Sequence, residues 1–146
     1  MVIQILLVED SESQVGLVRE ALKIWSTPFN LHVTNSAEDA LEFLNRSSGY
    51  GNVPHPNLVL VDLNLPKQPG FVVLEAIRKN PALGGTVAVV LSSSTALSDI
   101  QRAALLAAAY IEKPIDLHGT LRLFQALEQF WRMDARFALK RTGFSQ

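Results

Sequence analysis

Short blocks of branched apolar residues alternate along this chain with longer stretches of helical periodicity. Ile3-Gln4-Ile5-Leu6-Leu7-Val8 is an apolar run of strand length, and Leu58-Val59-Leu60-Val61 and Thr86-Val87-Ala88-Val89-Val90-Leu91 have the same character. Such runs lack the polar alternation of a sheet with one wet face, so they predict buried strands of a parallel sheet. Residues 31–34 and 108–112 read as shorter strands. Between them the apolar period lengthens. Val15, Leu17, Val18, Leu22 and Trp25 mark one face of a helix over 13–25, stopped by Pro28. Ser36 and Asp39 form a capping box with Asp in the usual place of Glu, ahead of Ala40, Leu41, Phe43 and Leu44. Further helices are predicted over 70–79, over 98–107, and from an Asp116 N-cap to Ala138. Residues 47–56 are rich in Gly, Ser, Asn and Pro and form a loop, long for an α/β connection.

A βα unit repeated about five times predicts a doubly wound α/β fold, with a parallel sheet and helices on both faces. No internal repeat or interdomain linker interrupts it. Residues 1–132 are expected to form one domain, and 133–146 a helical extension without a separate output domain.

Composition narrows the class. The chain has 146 residues, is 48% hydrophobic and 18% charged, and so is long and apolar enough for a globular core. A net charge of −1 offers no basic surplus for nucleic acid. Cysteine is absent, which excludes disulfides, thiolate metal sites and cysteine nucleophiles. No signal-peptide pattern opens the chain, and no apolar run approaches the ~18 residues of a membrane span. A cytoplasmic protein with no membrane partner is expected.

The chemistry lies at the strand ends. Glu9 and Asp10 follow the first strand, Asp62 the third, Ser92 the fourth and Lys113 the fifth. Parallel strands bring their carboxyl ends to one edge, where open α/β sheets place their sites. Three carboxylates gathered there repel one another and call for a hard, oxygen-loving cation. A hydroxyl and an ammonium opposite suit an anion. Metal, carboxylate nucleophile, hydroxyl and lysine together describe an aspartate that accepts a phosphoryl group.

Four segments in register, Leu7-Val8-Glu9-Asp10, Val61-Asp62-Leu63-Asn64-Leu65-Pro66-Lys67, Val90-Leu91-Ser92-Ser93-Ser94 and Tyr110-Ile111-Glu112-Lys113-Pro114, resemble the response-regulator receiver domain of bacterial two-component systems. The resemblance covers roughly residues 2–132. It implies a five-stranded flavodoxin-like sheet in the order 2-1-3-4-5. It implies that Asp62 accepts phosphate from a sensor histidine kinase. Asp10, Asp62 and the backbone carbonyl of Asn64 would ligate Mg²⁺, with Glu9 acting near the metal through water. Ser92 would hydrogen-bond the phosphoryl group and Lys113 would pair with it or with Asp62. Tyr110 matches the aromatic switch whose rotamer reports phosphorylation, and the 113–114 bond is a cis candidate. Such a domain catalyses only its own phosphorylation and dephosphorylation. The Leu63–Lys67 turn, the long loop before the third strand and Glu128-Gln129-Phe130-Trp131 resemble stand-alone regulators paired with bacterial phytochrome kinases. The expected signalling surface is the face formed by helix four, strand five and helix five.

The chain departs from that pattern at Ser92, where Thr is usual, and at Leu106-Ala107-Ala108-Ala109, which replaces a Gly-containing turn in a segment about one residue short. A non-switching receiver-like interaction module is the rival reading. A phosphatase with an aspartyl nucleophile would want a second aspartate at position 64, which is Asn. Taken singly, Glu9 and Asp10 read equally as helix-capping carboxylates, and Asp62, Ser92 and Lys113 as turn or surface residues. Their joint order carries the site. His32, His55 and His118 have no metal-like spacing, and Gly49-Tyr50-Gly51 is no nucleotide fingerprint. Phe130, Trp131, Phe137 and Phe144 exceed what the sheet needs, so a homodimer is expected. Arg132, Arg136, Lys140 and Arg141 read as solubilising charge.

Overall fold

The structure, a computed structural model, describes residues 2–141, with side chains described as far as Met133. Five strands are present: β1 (Ile3–Val8), β2 (Phe29–Thr34), β3 (Leu58–Val61), β4 (Val87–Ser92) and β5 (Ala109–Glu112). Five α-helices alternate with them: α1 (Glu12–Leu22), α2 (Ala37–Asn45), α3 (Phe71–Lys79), α4 (Leu97–Leu105) and α5 (Leu117–Arg141). All pairings are parallel and the order is β2-β1-β3-β4-β5, the expected flavodoxin-like topology.

The chain forms two compact units. One comprises residues 1–15 and 28–113, the other 16–27 and 114–146. The first holds the sheet with α2, α3 and α4. One row of its core follows from register: Leu6 pairs with Val59 and Val8 with Val61, while Val59 pairs with Ala88 and Val61 with Val90. This row joins Phe43, Leu44, Phe71, Leu74 and Ile77 of α2 and α3 in one cluster. The alternate row, Ile5, Leu7, Leu58, Leu60 and Val89, is also buried. Burial of both rows explains why these strands are continuously apolar.

Local signals set most boundaries. The Ser36 hydroxyl accepts from Asp39 N–H at 3.0 Å and caps α2. The helix ends at Arg46, which takes a left-handed φ of 55°. Gly70 begins α3, and Asn80 caps the 3₁₀ turn Pro81–Leu83 through Ala82 N–H. Several boundaries differ from expectation by one to three residues. The first helix stops at Leu22, and β2 starts two residues early because Phe29 pairs with Ile3. The α4 helix stops at Leu105 instead of Ala107, and α5 reaches Arg141 instead of Ala138. No cis peptide bond occurs among the described residues, so the 113–114 expectation is corrected to trans, which X–Pro bonds favour by about 0.5–1 kcal/mol.

In the second unit, Trp25 is buried and donates its indole N–H to the Phe124 carbonyl at 2.8 Å. Glu128 accepts from Thr27 N–H at 2.8 Å. Arg132 reaches Glu128, Ser26 and Thr27. Burial alone would raise the Glu128 pKa, but the Thr27 hydrogen bonds and the Arg132 charge outweigh it and lower it. The side chains of Arg136, Phe137, Lys140 and Arg141, and the whole of Phe144, lie outside the described residues.

Candidate functional site

Strand register assembles the site. Val8 is paired with Val61, so Glu9 and Asp62 emerge side by side, and Asp62 N–H donates to the Val8 carbonyl at 3.1 Å. On the other side Ser92 pairs with Glu112, and Lys113 N–H donates to the Ser92 carbonyl at 2.8 Å. Glu9, Asp10, Asp62, Ser92 and Lys113 therefore share one edge of the sheet, as expected from the strand ends.

Lys113 stands among the carboxylates. Its Nζ lies 2.5 Å from Glu9 Oε1 and 3.1 Å from Asp62 Oδ2. The other Asp62 oxygen accepts from Asn64 N–H at 3.0 Å. Glu9 Oε2 accepts from Ser11 N–H at 3.2 Å. Glu9 and Asp62 are buried whereas Asp10 is exposed. One oxygen from each of the three carboxylates lies within 4.8 Å of the others.

Burial raises the Glu9 pKa and the Asp62 charge adds to that, against the opposing pull of Lys113 and Ser11 N–H. Burial would lower the Lys113 pKa, but its bond to Glu9 and the charges of Asp62 and Glu9 prevail and raise it. The ammonium stays charged and offsets part of the carboxylate repulsion.

The three carboxylates fit a divalent cation. They are hard oxygen donors within one coordination sphere of each other, and Asp10 is open to solvent. Asn64 sits in the turn directly after Asp62. Beside Asp10 opens a cavity of about 380 Å³, lined also by Asn35, Ser36, Glu38 and Lys67.

Ser92 is wholly buried, and its Oγ accepts from Ser94 N–H at 3.1 Å. Tyr110 is half-buried against the core, and its hydroxyl donates to the Ser94 carbonyl at 2.7 Å. Two residues escaped the sequence reading. Gly70 packs so tightly that a Cβ there would lie 2.3 Å from the Asp62 carbonyl oxygen, while its N–H donates to the Leu63 carbonyl at 3.1 Å. Its place at the start of a helix, just after the site turn, was the available signal. Asp99, whose Oδ2 accepts from the Ser94 hydroxyl at 3.0 Å, carried no usable signal, since five residues separate the pair.

A family model for the response regulator receiver domain matches residues 5–126. Response regulator Rcp1 of Synechocystis sp. (strain ATCC 27184 / PCC 6803 / Kazusa) is 38% identical over 128 residues, covering 87% of each chain. The crystal structure of the phosphorylated cyanobacterial phytochrome response regulator RcpA is 33% identical, with a TM-score of 0.84, covering 90% of this chain and 94% of that one. The crystal structure of the Mn²⁺-bound form of Rcp1 is 38% identical, with a TM-score of 0.81, covering 88% of this chain and 93% of that one.

Proposed function

The chain belongs to the response regulator receiver domain family, and from that premise we propose that Asp62 accepts a phosphoryl group from the phosphohistidine of a sensor kinase. A carboxylate oxygen of Asp62 attacks phosphorus, the P–N bond breaks, and the imidazole leaves with its electron pair. The product is an acyl phosphate on Asp62.

The observation that carries this reading is the Lys113 ammonium 3.1 Å from Asp62, beside the close oxygens of Glu9, Asp10 and Asp62. Lys113 holds one Asp62 oxygen and stays to balance the incoming charge. The Asn64 N–H fixes the other oxygen and so the carboxylate plane. The Ser92 hydroxyl supplies a donor to the phosphoryl group. Asp10, Asp62 and the Asn64 carbonyl would hold Mg²⁺, with Glu9 acting through water. That ion, when bound, offsets negative charge on the phosphoryl oxygens. Buried Glu9 steadies Lys113, and exposed Asp10 would meet the metal.

Signalling would follow from population shift: the phosphorylated state must bind a downstream protein differently from the free state. Tyr110 would rearrange with that shift. Leu97, Ile100 and Leu105 leave α4 with an exposed apolar row suited to a partner. A phytochrome-type kinase is supported by the likeness to the cyanobacterial phytochrome response regulator RcpA. We read residues 1–132 as the receiver and 133–146 as its extension, acting in the cytoplasm and catalysing only its own phosphorylation and dephosphorylation.

The test is incubation with acetyl phosphate, with and without Mg²⁺, followed by intact mass. The wild type should gain one phosphoryl group only with Mg²⁺, and Asp62→Asn should gain none. Labelling that persists in the variant refutes the site. Failure of the wild type with both acetyl phosphate and a phosphorylated kinase supports the non-switching module.

A further inference from the structure

Three charged residues line the cavity beside the carboxylate cluster: Asp10 itself, Glu38 and Lys67. Asp10 is the exposed member of that cluster, since Glu9 and Asp62 are buried. Glu38 comes from the first turn of α2, and Lys67 from the turn that follows Asp62. Both are exposed. Among the described residues, neither side chain has a hydrogen bond or an ion pair, whereas Lys113 is held by Glu9 and Asp62. No close partner therefore compensates the charges of Glu38 and Lys67, and they act through the solvent of the cavity.

The backbone fixes where Lys67 stands. Its φ is 69°, in the left-handed region that side chains rarely adopt, and Gln68 N–H donates to the Pro66 carbonyl at 2.8 Å around it. This is a γ-turn centred on a positive φ, the rarer and more strained form. Such a conformation persists only where the flanking chain over-determines it. Pro66 and Pro69 each have a fixed φ, and Gly70 N–H closes the loop on the Leu63 carbonyl at 3.1 Å. Glycine would relieve the turn but bring no charge to the cavity.

An ammonium repels a divalent cation and a carboxylate attracts it. Through water the interaction reaches about a Debye length, ~10 Å at 0.1 M salt. A cavity of about 380 Å³ has dimensions of that order.

We propose that Glu38 and Lys67 set the divalent-cation affinity of the Glu9, Asp10 and Asp62 cluster in opposite senses. Glu38 draws the ion toward Asp10, and Lys67 holds the affinity down. The proposal rests on the reading of Asp10 as a metal ligand. Its consequence is that Lys67 raises the cation concentration at which the site fills.

Binding of Mn²⁺, with the free ion counted by electron spin resonance, reads this without any phosphoryl chemistry. Mn²⁺ takes the same hard oxygen donors as Mg²⁺. At about 10 mM salt, Lys67→Gln should bind about threefold more tightly than the wild type and Glu38→Gln about threefold more weakly. Lys67→Arg keeps the charge and should bind as the wild type does. In about 0.5 M potassium chloride both differences should shrink to less than about 1.5-fold. A merely structural role for either residue would follow neither the sign of the charge nor the salt. Unchanged affinity in either glutamine variant at low salt overturns the proposal, as do shifts of the same sign in both. Differences that persist in high salt overturn it too, and so does a Lys67→Arg variant that behaves as Lys67→Gln. A wild type that binds no Mn²⁺, or an Asp10→Asn variant that binds it as the wild type does, overturns the metal reading itself.

Discussion

A methyl group at position 70 would lie 2.3 Å from the Asp62 carbonyl oxygen and 3.0 Å from the Leu63 Cα, against backbone on both counts. Neither can swing aside as a long side chain would. Gly70→Ala should therefore displace the turn that carries Asp62. A loss of about 1–3 kcal/mol in denaturant unfolding is expected, the usual range for overpacking, together with slower phosphoryl uptake. Wild-type stability and uptake in that variant would show that the turn yields freely. At this scale the residues that share the carboxyl edge of the sheet were legible in the sequence. Glu9, Asp10, Asp62, Ser92 and Lys113 were legible because each follows an apolar run and register gathers their neighbours. Gly70 and Asp99 were not, because a close approach and a hydrogen bond across a loop leave no periodic mark.

At the scale of elements, the connection from α4 to β5 shows what the short segment does. The helix stops at Leu105, and Ala107 adopts a φ of 56°, the left-handed region normally given to glycine. Leu106 N–H still finds Arg102 and Ala103 carbonyls, and Ala108 N–H donates to the Ala103 carbonyl at 3.0 Å, so the turn closes with its bonds made. The strain at alanine is about 1–2 kcal/mol. Ala107→Gly removes it but loosens the unfolded chain by about 0.4–1 kcal/mol. Net stabilisation of about 0.5–1 kcal/mol is expected from chemical unfolding; a destabilised variant would mean that the strain is absorbed elsewhere. The helix ran two residues too long in the sequence reading because Leu-Leu-Ala-Ala-Ala is good helix-forming composition throughout. What ends it is the need of Ala108 to enter the core and of β5 to pair with β4. Tertiary contacts of that kind have no local signature. The β2 start was missed for the same reason, since Phe29 is recruited by Ile3.

For the whole molecule, topology was legible in the sequence. Five apolar runs separated by helical stretches leave few ways to lay down a parallel sheet, and the observed order is the expected one. Which apolar residues remain exposed depends on packing. Phe130 and Met133 are exposed, Trp131 is half-buried, and Trp25 is buried. The exposed pair on α5 motivates the homodimer. Light scattering at tens of micromolar should return twice the monomer mass, and Phe130→Ala should lower it toward one; a wild-type monomer would refute the dimer. In the proposed function Asp62 carries the phosphoryl group. After incubation with acetyl phosphate and Mg²⁺, borohydride reduction converts an acyl phosphate to the alcohol, turning a phosphorylated aspartate into homoserine. Peptide mass mapping of the reduced protein should find homoserine at position 62 alone. Homoserine at position 10, or aspartate retained at 62 in protein that had gained phosphate, would contradict the account.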